Sequence, residues 1–270
     1  EGKIVNYELN SNVTATASHT FSPNVAGTFT LGGTLDDRNY RQLSDVGRTL
    51  VAPEPFNLLN TVTRDPTIDA VQEIRNVGYF GQATADLFDQ LFLSAALRND
   101  GSSTYDRSHL HAWFPKASAA WTFSKIVNIP GVSFGKLRAA YGEAGQEPLP
   151  YLTTQTYSSV AFATIPQGVA LTPAYGGFGG LSSSATKATP SLLPERTREI
   201  EGGIDLGFFK DKADLGIPYS QQITSNVILT QQTAASLGFF QQVQQGPTYP
   251  HWALSIQTNP PPLPQPHYPR

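Results

Sequence analysis

The chain has no cysteine and no methionine among its 270 residues, and only 14% of them are charged. Without cysteine there is no disulfide framework and no thiolate metal site. Methionine is missing even at position 1, so Glu1 is expected not to be a native start, and no signal-peptide pattern precedes it. No apolar run approaches the roughly 18 residues of a membrane helix. A chain of this kind crosses a bilayer only with strands, whose backbone groups bond to one another. Net charge is −3 and there is no basic run, which gives no footing for nucleic acid as a partner. Soluble domains carry roughly 25% charged residues. Here threonine, serine, asparagine and glutamine fill the gap. That surface suits a barrel with a wet lumen and an apolar outside. It equally suits a soluble Thr/Ser-rich β-sandwich, and composition leaves both open.

What is present is a period of two. Odd positions from Val13 to Phe21 are mainly apolar and even ones polar, and after a turn at Ser22-Pro23-Asn24 the odd phase resumes through Val25, Phe29, Leu31 and Leu35. These are two arms of about 9–11 residues, the length that crosses a bilayer at a tilt. Residues 36–75 lose the alternation and read as a long polar loop, with Asp65–Gln72 as the one short helical candidate. A second hairpin is predicted over 77–98 with its turn near Asp89, followed by strands at 113–123 and 134–142. Residues 143–190 are rich in Gly, Pro, Ser and Thr and form a second long loop. Alternation returns at 199–208, turns at Phe209-Lys210-Asp211-Lys212, and runs back through 213–223. Long strands joined by alternately short and long connections are the plan of an outer-membrane barrel. Aromatics at strand ends (Tyr79, Phe80, Trp113, Phe114, Trp121, Phe123, Phe208, Phe209) are candidate interfacial girdles, or else a sandwich core. The predicted fold class is all-β: antiparallel up-and-down strands of a partial outer-membrane-type barrel, about eight of them within residues 1–245.

Several ordered motifs resemble SusC/RagA-type TonB-dependent receptors. They are Tyr79-Phe80-Gly81-Gln82; Leu97-Arg98-Asn99-Asp100-Gly101-Ser102-Ser103; Phe114-Pro115-Lys116-Ala117-Ser118-Ala119-Ala120-Trp121; Lys136-Leu137-Arg138-Ala139-Ala140-Tyr141-Gly142-Glu143-Ala144-Gly145-Gln146; and Pro194-Glu195-Arg196-Thr197 onward to Phe208-Phe209. The likeness covers about residues 77–245. Each motif also has a local reading: Asp100-Gly101 as a turn, Phe114-Pro115 as a strand start, and Gly142 and Gly145 as bends at a rim. The resemblance implies an outer-membrane location in bacteria and uptake of oligosaccharide or peptide. It also implies a SusD-like surface lipoprotein and TonB as partners, with no cofactor and no catalysis. Such receptors have about twenty-two strands and a plug domain, so this chain is expected to be a fragment.

The sequence departs from that family in two places. Pro218 falls mid-strand, where a ladder N–H is expected. After Gln245 the barrel pattern stops, and six of the last twelve residues are proline. Residues 246–270 are expected to be a non-barrel tail, either native or the product of a shifted frame or cloning junction.

Candidate sites fall into three groups. Tyr151, Tyr157, Tyr175 and Phe178 in the second loop are candidates to stack on a sugar or peptide. His109-Leu110-His111 puts two imidazoles on one face of a predicted strand, with Asp106 nearby, as a weak metal candidate. Glu199 with Glu201, Glu195 with Glu199 or Glu201, and Glu143 with Glu147 are carboxylate pairs of the kind glycosidases use. With His109 they support the alternative of a soluble all-β hydrolase of esterase or glycosidase type. The opposing reading of the glutamates is lumen-lining charge beside Arg196 and Arg198.

Overall fold

A computed structural model describes residues 2–65, 68–106, 108–159, 181–210 and 212–259. In chain order the strands are β1 (Gly2–Ser22), β2 (Val25–Ser44), β3 (Gly47–Leu50), β4 (Thr61–Arg64), β5 (Ile68–Leu87), β6 (Leu91–Ser102), β7 (His111–Trp121) and β8 (Val132–Gln146). They continue with β9 (Tyr157–Ser159), β10 (Leu181–Ser183), β11 (Thr186–Lys187), β12 (Glu195–Phe208), β13 (Ala213–Ser225), β14 (Ile228–Gln232), β15 (Gln241–Gln245), β16 (Tyr249–Leu254) and β17 (Gln257–Asn259). One antiparallel sheet runs β1-β2-β5-β6-β7-β8-β12-β13-β16, with β17 also on β13. Among the described residues β1 and β16 are its edges, and the sheet does not close.

Register turns the period of two into two faces. Phe29 lies opposite Ala83, Ala83 opposite Ala95, Ala95 opposite Ala117, Ala117 opposite Tyr141, and Tyr141 opposite Ile200. One residue away, the matching row reads Ser18, Thr28, Thr84, Ser94, Ser118, Ala140, Glu201 and Ser220. The apolar face is the uncovered one. Val13, Phe29, Leu31, Tyr79, Leu97, Trp113 and Ile200 are each 45–71% exposed. Total accessible surface is 19387 Å², against roughly 11,500 Å² for a compact soluble chain of this size. A soluble sandwich would turn this belt inward. Here it faces out, which is stable only against lipid.

The strands are longer than their alternation. β2 and β5 each have 20 residues, roughly 66 Å at about 3.3 Å per residue. About 9–11 residues cross a bilayer. The remainder stands beyond the belt, where the outer face becomes polar and Arg75 pairs with Asp37 opposite it at 3.3 Å. The predicted loop over 36–75 therefore shortens to 45–67. Charged residues broke the apolar rhythm but not the ladder, because both faces of this part are wet. Asp65–Gln72 is no helix: 65 lies between strands, 68–72 belong to β5, and the short helical turn falls at Leu58–Asn60, capped by Asn57.

Connections alternate short and long except around β7, where 103–110 and 122–131 are of similar length. Tight turns follow β1, β5 and β12, and long loops follow β2, β8 and β13. Phe88 and Asp89 both have positive φ (60° and 50°), as do Phe209 and Lys210 (55° and 61°). Two consecutive left-handed residues match the twist of a hairpin. Asp100-Gly101 is not a turn but the last part of β6, opposite Gly78 and Val77; the chain turns after Ser102. Pro115 is likewise interior to β7, at the point where pairing with β8 begins.

Pro218 is accommodated by its direction. In an antiparallel strand a residue's N–H and C=O point to the same neighbour. The Pro218 carbonyl accepts from Ser255 N at 3.1 Å, so its missing N–H also faces the β16 side. There β16 ends at Leu254 and β17 starts at Gln257, and no ladder bond to β12 is lost. Residues 249–259, expected in the tail, thus continue the sheet on β13. The proline-rich residues 260–270 lie outside the described residues.

Of the aromatics, Tyr79, Trp113, Trp121 and Phe209 are exposed. Tyr79, Trp113 and Trp121 lie on the apolar face and fit girdles. Eight residues of β7 separate Trp121 from Trp113, about 26 Å along the strand. Phe80, Phe114 and Phe123 do not join them. Each ring lies over a glycine of a neighbouring strand, namely Gly32, Gly145 and Gly135. Gly145 is therefore needed for close approach rather than for a bend.

Candidate functional site: the polar wall and its loop-end cleft

The polar face carries the chemistry. Its densest part is at the loop end, where β2, β5, β6 and the exit of β8 meet. Glu147, just past β8, reaches across this corner. Its Oε1 accepts from Arg38 Nη2 (2.8 Å) and Asn76 Nδ2 (3.2 Å), and its Oε2 from Ser102 Oγ (2.7 Å). One carboxylate so ties the start of the second loop to three strands. Arg38 Nε also donates to Asp36 Oδ2 at 2.8 Å. Buried Ser102 shares a 2.8 Å hydrogen bond with buried Thr104.

Beside it, Arg98 Nε donates to both oxygens of Asp100 (2.6 and 2.8 Å), and Nη2 donates to Thr34 Oγ1 (3.0 Å). This group fits only because residue 78 is glycine. A Cβ there would overlap Arg98, Asp100 and Thr34. The Arg98 guanidinium lies 6.0 Å from the centre of the Phe80 ring. Thr34, Asp36, Asn76, Arg98, Asp100 and Glu147 wall a cleft of about 530 Å³, which Asn10 and Asn12 of β1 and Tyr105 also line. Tyr105 packs with Ala112 and Phe114 in a small buried cluster. Burial, helped by the carboxylates of Asp100 and Glu147, pushes its phenol up to about 12.

Farther along, Glu143 is almost fully covered. It accepts from Arg196 Nη1 (2.8 Å) and pairs with Arg198 (3.4 Å), and the Tyr141 hydroxyl also donates to it. Arg196 further lies 5.4 Å over the Phe114 ring and donates to Trp113 O. Glu143 and Glu147 therefore serve separate networks. Glu195 accepts from Ile228 N at 2.7 Å. Glu199 and Glu201 share a groove with Lys116 on the polar face, and neither is ion-paired among the described residues.

The histidines part company. His109 lies in the turn before β7, not on a strand, with Nδ1 2.9 Å from Ser108 Oγ and 3.5 Å from Asp106 Oδ2. Ser108 also donates to Asp106, which holds that carboxyl below the usual range, with a smaller contribution from His109. His111 opens β7 opposite Gly101. Among the described residues no metal-binding group forms. Tyr151 donates from its hydroxyl to Val71 O at 3.2 Å, and Tyr157 begins β9, opposite Ser183. Both rings are more than half exposed. Tyr175 and Phe178 lie outside the described residues. The Arg38–Glu147 and Arg98–Asp100 groups were missed by sequence reasoning, which read 36–38 as loop and 99–103 as turn. Their signal was parity: Thr34, Asp36, Arg38 and Arg98, Asp100, Ser102 continue the polar phase of their strands.

The family described as TonB dependent receptor-like, beta-barrel matches residues 4–250. TonB-dependent receptor P3 of Formosa agariphila is 25% identical over 190 residues, covering 68% of this chain and 18% of that protein. The RagAB peptide importer in its open-open state superposes with a TM-score of 0.79 at 16% identity, over 95% of this chain and 27% of that one. The siderophore receptor PirA from Acinetobacter baumannii gives 0.57 at 12% identity, over 95% of this chain and 34% of that one. The chain thus spans less than a third of the first two proteins. A lipid-facing apolar belt, a polar inner wall and loops gathered at one end account for the match, and the chain belongs to the TonB-dependent receptor β-barrel family.

Proposed function

We propose that this chain forms part of the channel wall of a SusC/RagA-type receptor in the bacterial outer membrane, which takes up oligosaccharide or peptide nutrients. The observation that carries this reading is the pair of opposite faces. An uncovered apolar belt fits lipid, and the wall behind it bears Glu199, Glu201, Lys116 and the loop-end cleft. Cargo would enter past the loops that bear Tyr151 and Tyr157 and move along the polar wall. A SusD-like lipoprotein would close over those loops, and TonB would drive release. The motifs shared with SusC/RagA receptors and the superposition on RagAB support this assignment.

No chemical step is needed. The glutamates suited to a glycosidase pair are bound to arginines (Glu143, Glu147), accept from the Ile228 N–H (Glu195), or lie open on a channel wall (Glu199, Glu201). The test is growth of the source bacterium on defined peptides and on defined oligosaccharides, with the receptor gene deleted, restored, or restored in a strain lacking TonB. Loss of growth on one nutrient class in both the deletion and the TonB-deficient strain is expected. Full growth without TonB would refute the proposal.

A further inference from the structure

Tyr105 stands out among the groups at the loop-end cleft. It is only 6% exposed, yet it lines the cleft, and its hydroxyl makes no hydrogen bond among the described residues. A buried phenol normally finds a partner. An unpartnered one that lines a cleft, beside the buried oxygens Asp36 Oδ1 and Asn76 Oδ1, also unpaired among the described residues, marks a place for a polar ligand group.

The surroundings say which kind. Asp36, Asp100 and Glu147 bring three carboxylates to the lining and Arg98 one cation. Glu147 and Asp36 are shared with Arg38, and Asp100 with Arg98, each arginine being 40% exposed, so three carboxylates stand against two cations and the balance stays negative. The lining therefore favours positive charge, and its amides and hydroxyls can accept further N–H groups. A carboxylate- or phosphate-bearing ligand would meet a lining whose carboxylates outnumber its arginines three to two. An apolar one would leave these groups dry and unpaired.

We propose that this cleft is a subsite for a protonated primary amine, held between the Tyr105 hydroxyl and the carboxylates of Asp100 and Glu147. The inference rests on the uptake function above and specifies one contact within it. The amine can belong to a peptide terminus or lysine, or to an amino sugar, and the probes separate these sources.

The experiment uses the full-length receptor that carries this chain, purified in detergent, with binding followed by calorimetry. Four probes are compared: trilysine, its fully acetylated form, the deacetylated chitosan trimer, and the N-acetylated chitin trimer. At least one free-amine probe is expected to bind ten or more times more tightly than its acetylated counterpart. Raising salt from 50 to 500 mM should weaken that binding. Tyr105→Phe and Asp100→Asn should each erase most of the preference. Because Asp100 also holds Arg98, Asn10→Lys provides a second arm. Asn10 is exposed on β1 opposite Asp36, so a lysine there adds a positive charge at the cleft edge without emptying the wall. It should abolish the preference while the receptor stays folded. Equal binding of free and acetylated probes, or a preference untouched by Asn10→Lys, would overturn the subsite. Nutrient uptake that depends on TonB but ignores these variants would leave the transport function standing and remove only this inference.

Discussion

Replacing Glu147 by alanine tests whether one carboxylate holds the second loop against the barrel wall. It removes three hydrogen bonds at once, and their contributions differ. The Arg38 pair is part-exposed at both ends (40% and 24%), so solvent screening limits it to about 0.5–1 kcal/mol. Arg38 keeps Asp36, so no charge is stranded. The Ser102 bond, to a buried hydroxyl, is charge-assisted and contributes about 1–1.5 kcal/mol, since Ser102 retains Thr104. The 3.2 Å bond from Asn76 adds about 0.5 kcal/mol. The total is about 2–3 kcal/mol, or roughly 30- to 150-fold in a local opening equilibrium. Hydrogen exchange on the full-length receptor reads this directly, at Ser103 and Thr104 and in the loop after residue 147. Glu147→Gln, which keeps an acceptor for Ser102 but loses the charge, should show an intermediate effect. An exchange increase below about threefold in the alanine variant would refute the clamp.

The two faces can be told apart at adjacent residues: Ala95→Arg, on the belt, should cost about 2–4 kcal/mol, whereas Ser94→Arg, on the wall, should cost about 0–1. The yield of folded barrel in membranes, read by heat-modified gel mobility, compares them, and equal yields would contradict the assigned faces. Gly78→Ala should displace Arg98 from Asp100 and Thr34 and cost about 1–3 kcal/mol by overpacking, seen as a lowered unfolding temperature. Tyr105 should ionise well above the ordinary tyrosine range. Its phenol is raised to about 12 in the folded protein against about 10 unfolded. Its stabilisation is therefore fully present below pH 10 and is lost as pH rises through 12. The difference in tyrosinate absorbance between the native receptor and Tyr105→Phe should show that late step, and a midpoint near pH 10 would contradict the burial.

The sequence by itself determined the fold class and the strands of the belt. Between Val77 and Ile223 one face must meet lipid and the other water, so a period of two is written in residue type. It also placed the tight turns, whose position follows from where the alternation stops. Tertiary structure decided what lies beyond the belt. There both faces are wet, apolar alternation has no physical cause, and strands such as residues 36–44 and 68–76 look like loop. Only register shows that Arg38, Asn76 and Ser102 converge on Glu147, which follows a strand two or more places away in the sheet. The same holds for Pro218, whose cost depends on which neighbour its missing N–H faces, and for Gly78, whose side chain is absent to make room for Arg98. These are facts about pairs of residues far apart in the chain, and a local pattern does not contain them.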